Sequence, residues 1–299
     1  MAIEKVEIVE VSPRDGLQNE PEILSSVTKI ALINRAIDCG FKRIEVASFV
    51  NPRRVPQMAD AEAVVEALPQ DNGVTYIGLA LNERGAERAL HTNIHEVGAV
   101  VCASDGFAMA NQGQTSAQSA DVANNIVAMT KSAGKAAQIT ISTAFGCPFD
   151  GPTNQDWVVE LAAIVAQSKP REIALADTIG VATPFEVSAL FEKVRAVVGE
   201  IPLRAHFHNT RNTGIANAYA AYQAGVRIID ASLGGLGGCP FAPNATGNIP
   251  TEDLVYMLSR EGIDTGIDID RMIETGLWLS EIMGRQLPAM LPRAGKFPA

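Results

Sequence analysis

Two histidines separated by a single residue are the feature of this chain best suited to chemistry. His206 and His208 lie in the run from Leu203 to Thr210. If this run is a β-strand, its side chains alternate, so both imidazoles leave the same face. Two imidazoles on one rigid face form half of a metal site or an acid/base pair. An isolated pair of this kind can also be two ordinary polar residues at a strand end. The rest of the chain must therefore show whether the pair has a chemical role.

The composition is that of a globular protein with a sizeable core. The chain has 299 residues, of which 47% are hydrophobic and 19% charged, proportions that are ordinary for such proteins. The net charge of −10 argues against a nucleic-acid partner and against binding to an anionic membrane surface. The negative net charge does not argue against a small anionic substrate, because the local charge of a cleft decides whether such a substrate binds.

The cysteines and the amino-terminal residues predict a cytoplasmic protein. The four cysteines, Cys39, Cys102, Cys147 and Cys239, contain no Cys-x-x-Cys pair, which is typical of buried thiols in a reducing compartment. The first residues contain neither an apolar signal core nor an Arg-rich presequence. No apolar run approaches the roughly 18 residues of a membrane span, so we expect no membrane partner.

Eight apolar, β-rich runs recur along the chain and alternate with segments of helical spacing. This alternation favours a parallel sheet closed into a single (β/α)₈ TIM barrel. An open doubly wound sheet is the main alternative, although no Gly-x-Gly-x-x-Gly motif supports a dinucleotide site. The eight predicted strands are Val6–Val11, Arg43–Phe49, Val74–Leu81, Glu96–Ala103, Ala136–Phe145, Glu172–Asp177, Leu203–His208 and Ile228–Leu233.

No linker or repeat divides the chain, so residues 1–299 are expected to form one catalytic domain. Asp268–Met283 has helical spacing and is expected to pack outside the barrel as an extra helix. It belongs to a C-terminal helical extension over residues 265–299. We also expect a homodimer or another homo-oligomer.

In such a barrel the active site lies at the carboxyl ends of the strands, and the polar residues there suggest a metal site. Asp15, His206, His208 and a loop amide such as Asn248 supply two nitrogens and two oxygens at the barrel mouth. This mixture suits Mg²⁺, Mn²⁺ or another divalent ion, with positions left open for substrate oxygens.

Arg14 and Cys239 are candidates for catalysis beside this metal site. Arg14 is a permanent cation next to Asp15 and suits a developing oxyanion, although an Arg-Asp pair alone also fits a surface turn. Cys239 follows Gly237 and Gly238. A thiol near a metal and an arginine has a lowered pKa and can act as an acid or base.

Two inward-facing carboxylates are predicted to serve the same site. Glu45 and Asp177 are either functional carboxylates or partners that orient a ligand or Arg14. His91 and His95 flank a helix-to-strand turn at the opposite end of the barrel, where we interpret both as structural or exposed.

The motifs together resemble 3-hydroxy-3-methylglutaryl-coenzyme A (HMG-CoA) lyases, a family of metal-dependent TIM barrels. The match runs in order over nearly the whole chain, and we expect no long regulatory extension of the kind that the related synthases carry. The residues that carry it are Pro13–Glu20, Ser48–Pro52, Val55–Met58, Gly146–Pro148, Asp177–Gly180, His206–His208, Gly234–Asn248 and Thr251–Leu258.

The resemblance implies that the chain cleaves an HMG-CoA-like acyl-CoA into acetyl-CoA and a 3-oxo acid. It implies that Asp15, His206, His208 and Asn248 bind the divalent metal. By the same resemblance Arg14 stabilises the thioester enolate and Cys239 acts as the acid/base of a mobile loop, while Glu45 and Asp177 support the site.

The chain departs from the family pattern around the acyl group, which leaves the substrate open. Thr140 to Thr143 stand where the family usually has a Tyr and a Cys, and Arg53-Arg54 replace Lys-Trp. Asn209 and Asn244 occupy positions that are usually Asp and Gly. A lyase for citramalyl-CoA or a longer 3-hydroxyglutaryl-CoA is therefore an alternative. A Claisen-condensing synthase and a non-catalytic binding protein on the same fold are the remaining alternatives.

Overall fold

The protein is represented by a computed structural model that describes residues 4–238 and 247–298. Its eight strands form a closed barrel in chain order, with β8 beside β1 and every pair parallel. The predicted TIM barrel is confirmed and the open doubly wound sheet was wrong. The strands are β1 (Glu7–Glu10), β2 (Arg43–Ser48), β3 (Thr75–Ala80), β4 (Glu96–Cys102), β5 (Ala136–Ser142), β6 (Ile173–Asp177), β7 (Leu203–Phe207) and β8 (Ile228–Ala231).

Helices surround the barrel, and local sequence signals set several of their ends. Helix α7 begins after Thr183, whose side chain and that of Glu186 form a capping box, with Pro184 in the first turn. Helix α1 ends at Gly40, which has a φ of 106°. The helices are α1 (Ser26–Cys39), α2 (Ala61–Glu66), α3 (Glu83–Leu90), α4 (Asp105–Gln112), α5 (Ser116–Ser132), α6 (Gln155–Ala166), α7 (Pro184–Val198), α8 (Gly214–Gln223), α9 (Thr251–Arg260), α10 (Ile269–Ile282) and α11 (Leu291–Ala294).

In the described part of the chain, five helical elements were not predicted from the sequence. They are α4, the short α11, a turn of π-helix over Ser12–Gly16 that follows β1, and two turns of 3₁₀-helix over Pro56–Met58 and Leu233–Gly235. The predicted terminal helix is observed as α10, with the Asp268 side chain accepting hydrogen bonds at its start. The assignment of residues 1–299 to one catalytic domain stays a prediction.

The described ranges contain no helix that combines the length and the apolarity needed to cross a membrane.

The barrel interior carries a network of ion pairs where many such barrels have layers of branched aliphatic side chains. Arg43 contacts Glu172 through two hydrogen bonds of 2.9 Å and Glu96 through one of 2.6 Å. Arg204 donates to Asp230 at 3.0 Å and lies 3.1 Å from Glu172. The buried charges of this network compensate one another, as buried charges must.

A second buried cluster lies where the glycine-rich loop after β8 begins. Glu10 accepts hydrogen bonds from the backbone of Ser12 and Leu233 and from the Thr251 hydroxyl. Glu252 accepts from the Gly234 amide. Burial raises the pKa of Glu10 to about 7 and the pKa of Glu252 to about 8. These carboxyls therefore hold the start of the loop, and both lose their protons at a higher pH than an exposed glutamate does.

Candidate active site

Arg14 and Asp15 reach the carboxyl end of the barrel from the π-helical turn that follows β1. Arg14 donates from Nη1 to Asp15 at 2.7 Å and from Nε to Glu45 at 2.7 Å. Glu45 projects from β2 and is buried. The two carboxylates therefore fix the plane of the guanidinium, and this contact agrees with one of the two roles that the sequence left open for Glu45.

Asp15, His206 and His208 converge in space. They form a group whose ligand atoms all lie within 4.8 Å of one another. The Nε2 atoms of both imidazoles are 3.8 Å from Asp15 Oδ2, and the two ring centroids are 5.2 Å apart. Alternation along β7 explains the pair, because residues two apart leave the strand on one face.

Asn248 joins the group from the segment after β8, where it forms a β-bridge with His208. Its Nδ2 donates to Asp15 at 2.9 Å and to the Leu236 carbonyl at 3.0 Å. Its Oδ1 is buried and has no partner among the described residues, and the same is true of His208 Nδ1. An unpartnered buried amide oxygen beside a carboxylate and two imidazoles is a donor set that fits a divalent cation.

The charges of this site favour an ionised Asp15. Burial alone raises the pKa of its carboxyl, but Arg14 and the two imidazoles outweigh burial and hold the pKa well below its ordinary value. Burial likewise opposes the charge of Arg14, yet Glu45 and Asp15 raise the pKa of the guanidinium. A permanent cation and a permanent anion thus lie side by side at the barrel mouth.

Asp230 and Arg204 are contacts of this site that were not predicted from the sequence. Asp230 Oδ2 lies 3.0 Å from His206 Nδ1, and Asp230 Oδ1 accepts from Arg204. Burial lowers the pKa of His206, but this hydrogen bond and the nearby Asp15 raise it above its ordinary value. Alternation was a usable signal, because Arg204 precedes His206 by two residues on the same face of β7.

Asp177, a further residue predicted for the site, contacts the backbone of the loop that follows β6. Asp177 is buried at the end of β6, where its carboxylate accepts from the amides of Val181 and Ala182 at 2.9 and 3.0 Å. It therefore holds the loop after β6. Cys239 lies outside the described residues.

The two remaining histidines lie at the other end of the barrel, as expected. His95 precedes β4 and its Nδ1 accepts from the Tyr76 amide at 3.0 Å, and His91 follows α3. Both are distant from His206 and His208 along the barrel axis, which leaves them outside the site.

A pocket opens above and beside this centre. Its polar lining includes Arg14, Asp15 and both site histidines, and it continues between β5 and β7 to Thr140 and Arg204. Apolar side chains from β3, from the residue after it, from β4 and from α4 also line the pocket, namely Leu79, Leu81, Val100 and Phe107. The site is thus a concave pocket with a few convergent polar groups, the usual form of a small-molecule site.

Comparison with known proteins agrees with this geometry. Residues 5–277 match the family model described as HMGL-like. The chain is 42% identical to (R)-citramalyl-CoA lyase of Chloroflexus aurantiacus over 98% of this chain and 96% of that protein. It is 37% identical to hydroxymethylglutaryl-CoA lyase YngG of Bacillus subtilis, with 95% of each chain covered.

Solved structures give the same result. An HMG-CoA lyase from Acenitobacter baumannii in complex with coenzyme A and 3-methylmalate has a TM-score of 0.94 and 41% identity, covering 98% of this chain and 96% of that one. The resemblance noted in the sequence is confirmed over nearly its full length. The chain belongs to the HMGL-like family, whose curated relatives include HMG-CoA lyases and a citramalyl-CoA lyase.

Proposed function

We propose that this protein is a divalent-metal-dependent carbon–carbon lyase that cleaves a 3-hydroxyacyl-CoA into acetyl-CoA and an oxo acid. The observation that carries the proposal is the convergence of Asp15, His206 and His208 within 4.8 Å next to the guanidinium of Arg14. Candidate metal ligands and a permanent cation therefore share one pocket, and carbanion-forming cleavage uses both kinds of group.

Asp15, His206, His208 and Asn248 are the residues proposed to hold the ion, and Mg²⁺ or Mn²⁺ is the proposed metal. Carboxylate, amide oxygen and imidazole ligands suit these ions. When bound, the ion supplies Lewis-acid polarisation of substrate oxygens. Asp230 fixes the orientation of His206, and the buried Asn248 Oδ1 supplies an oxygen that otherwise lacks a partner.

Arg14 is proposed to stabilise the negative charge that develops on the thioester oxygen. The substrate hydroxyl loses its proton to a base, the bond between the carbinol carbon and the carbon next to the thioester breaks, and its electron pair forms the acetyl-CoA enolate. Glu45 and Asp15 hold the guanidinium in place, so the stabilisation requires little reorganisation. Asp177 supports the site by holding the loop after β6.

Cys239 is proposed to protonate the enolate carbon, which completes acetyl-CoA. The loop before it contains Gly234, Gly235, Gly237 and Gly238, and glycines permit the close approach that a closing loop needs. Closure would exclude water from the enolate, which favours protonation by a positioned acid.

The acyl group is proposed to be that of HMG-CoA, with acetoacetate as the second product. Citramalyl-CoA, whose cleavage gives pyruvate, is the alternative. It is favoured by the 42% identity to a citramalyl-CoA lyase and by the changed residues at Thr140 to Thr143. An acyl-CoA is therefore the proposed binding partner. A homodimer or another homo-oligomer, and a cytoplasmic location, stay predictions.

A panel of hydroxyacyl-CoA thioesters tests this proposal. The purified protein with Mg²⁺ is incubated with HMG-CoA, citramalyl-CoA or a longer 3-hydroxyglutaryl-CoA, and acetyl-CoA and the oxo acid are quantified by mass spectrometry. We expect equimolar acetyl-CoA and oxo acid from one of them. Release of free CoA from acetyl-CoA and a 2-oxo acid, with no cleavage of any thioester, would instead identify a condensing synthase.

A further inference from the structure

Arg204 is a buried cation that lines the candidate active-site pocket and has no part in the mechanism above. It leaves β7 on the same face as His206 and lies one layer deeper in the barrel. Only 3% of the residue is exposed, yet it borders the pocket together with Thr140. A permanent charge at the floor of a pocket therefore faces whatever fills that pocket.

The hydrogen bonds of Arg204 leave donors unused among the described residues. Nη1 donates to Asp230 and Nη2 to the Thr140 hydroxyl, both at 3.0 Å. Each of these nitrogens carries two N–H groups, so each keeps one N–H that has no partner among the described residues. Because the Thr140 hydroxyl accepts from Arg204, its own proton is free to be donated as well.

The ion pairs of Arg204 do not account for these donors. Glu172 already receives two hydrogen bonds from Arg43, and Arg204 Nε lies 3.1 Å from Glu172 without hydrogen-bond geometry. Thr140 is neutral, so its hydroxyl does not balance the charge of Arg204. A buried guanidinium that lines a pocket and retains unused N–H groups, next to a hydroxyl that can donate, is suited to a carboxylate.

We propose that Arg204 and Thr140 recognise the free carboxylate of the acyl chain, opposite the thioester, and so determine substrate specificity. This inference rests on the proposed lyase function. With the carbinol carbon at the metal ligands and the thioester toward Arg14, the remaining acid group extends to the pocket floor.

Binding of the oxo-acid products tests this inference without turnover. Calorimetry with Mn²⁺-loaded protein compares acetoacetate and pyruvate with their uncharged methyl esters. The wild type is expected to prefer the acids. Arg204→Lys keeps the charge but loses the forked donors, so its preference for acid over ester should fall about 10–100-fold. Thr140→Val removes one neutral donor at nearly constant volume and should reduce the preference several-fold.

Arg43→Lys is the matched control, because Arg43 is buried in the same network and contacts the same Glu172 but does not line the pocket. The Arg43→Lys protein should show the same preference for acid over ester as the wild type. Folded Arg204→Lys and Thr140→Val proteins with unchanged preference and unchanged Mn²⁺ affinity would overturn the inference. An equal loss of the acid-over-ester preference in Arg43→Lys would also overturn the inference, because the effect would then come from the ion-pair network and not from contact with the ligand. If Arg204→Lys fails to fold, Thr140→Val alone decides.

Acetyl-CoA release from the thioesters is measured in parallel on the same wild-type protein. Absence of release refutes the proposed function, whereas the acid-over-ester preference decides the role of Arg204, so the two failures are distinguishable.

Discussion

Replacing Asp230 by Asn should weaken metal binding although Asp230 is not a proposed ligand. Asp230 Oδ2 lies 3.0 Å from His206 Nδ1, and Oδ1 accepts from Arg204 at the same distance. The carboxylate thus keeps the proton of His206 on Nδ1 and leaves Nε2 toward Asp15. Asparagine has one acceptor oxygen, so either His206 or Arg204 loses its partner, and the charge that favours a metal-bound imidazole disappears.

The size of the effect follows from these contacts. Mutation of a group that hydrogen-bonds a metal-ligating histidine typically costs about 10–100-fold in metal affinity, which equals about 1.4–2.8 kcal/mol. Burial of the pair places Asp230→Asn in this range, because Asp230 is only 4% exposed and little water competes.

Calorimetric titration of EDTA-treated protein with Mn²⁺ measures this affinity. Glu172→Gln is the control, since it removes a buried carboxylate from the same network without touching His206. We expect Glu172→Gln to lower the thermal midpoint and to bind Mn²⁺ within about threefold of wild type. An Asp230→Asn protein with wild-type affinity would refute the argument that Asp230 positions His206.

Three further predictions address other parts of the site. Arg14→Lys should lower kcat about 10²–10³-fold with little change in KM, and a variant within about threefold of wild type would reduce Arg14 to a turn residue. Glu252 is protonated when folded up to a pKa of about 8 but ionises near 4.5 when unfolded, so its stabilisation is complete at low pH and is lost as pH rises toward 8. Urea unfolding should show the wild type losing about 1.4 kcal/mol per pH unit relative to Glu252→Gln between pH 5 and 8, and a constant difference would contradict the pKa. Cys239→Ser should lose most activity while keeping Mn²⁺ binding and thermal midpoint, and an active but destabilised variant would remove the thiol from the mechanism.

The strand pattern and the ends of several helices could be read from the sequence because they depend on local signals. Thr183 followed by Pro184 is a sequence signal for the start of α7, and Gly40 is one for the end of α1. The convergence of Asp15 with His206 and His208 followed from one rule, that the strand ends of a barrel meet. These predictions used only neighbours in the chain and the symmetry of the fold.

The remaining features depend on contacts between distant residues. The π-helical turn over Ser12–Gly16 depends on packing against the loop after β8, since a Cβ at Gly16 would lie 3.0 Å from Leu236 and Ser232. Arg204 and Asp230 come from neighbouring strands and pair only once the barrel closes. The sequence placed each of them in a strand but did not indicate that they share a hydrogen bond.

The measurement that tests the account most directly follows metal occupancy and cleavage together. EDTA-treated protein is titrated with Mn²⁺ while bound Mn²⁺ is read by electron paramagnetic resonance and acetyl-CoA release is assayed with the best thioester of the panel. We predict that one Mn²⁺ binds per chain, that activity rises in proportion to occupancy, and that His208→Ala abolishes both while the protein stays folded. Full activity in the metal-free protein, or an active His208→Ala variant, would contradict the assignment of this site.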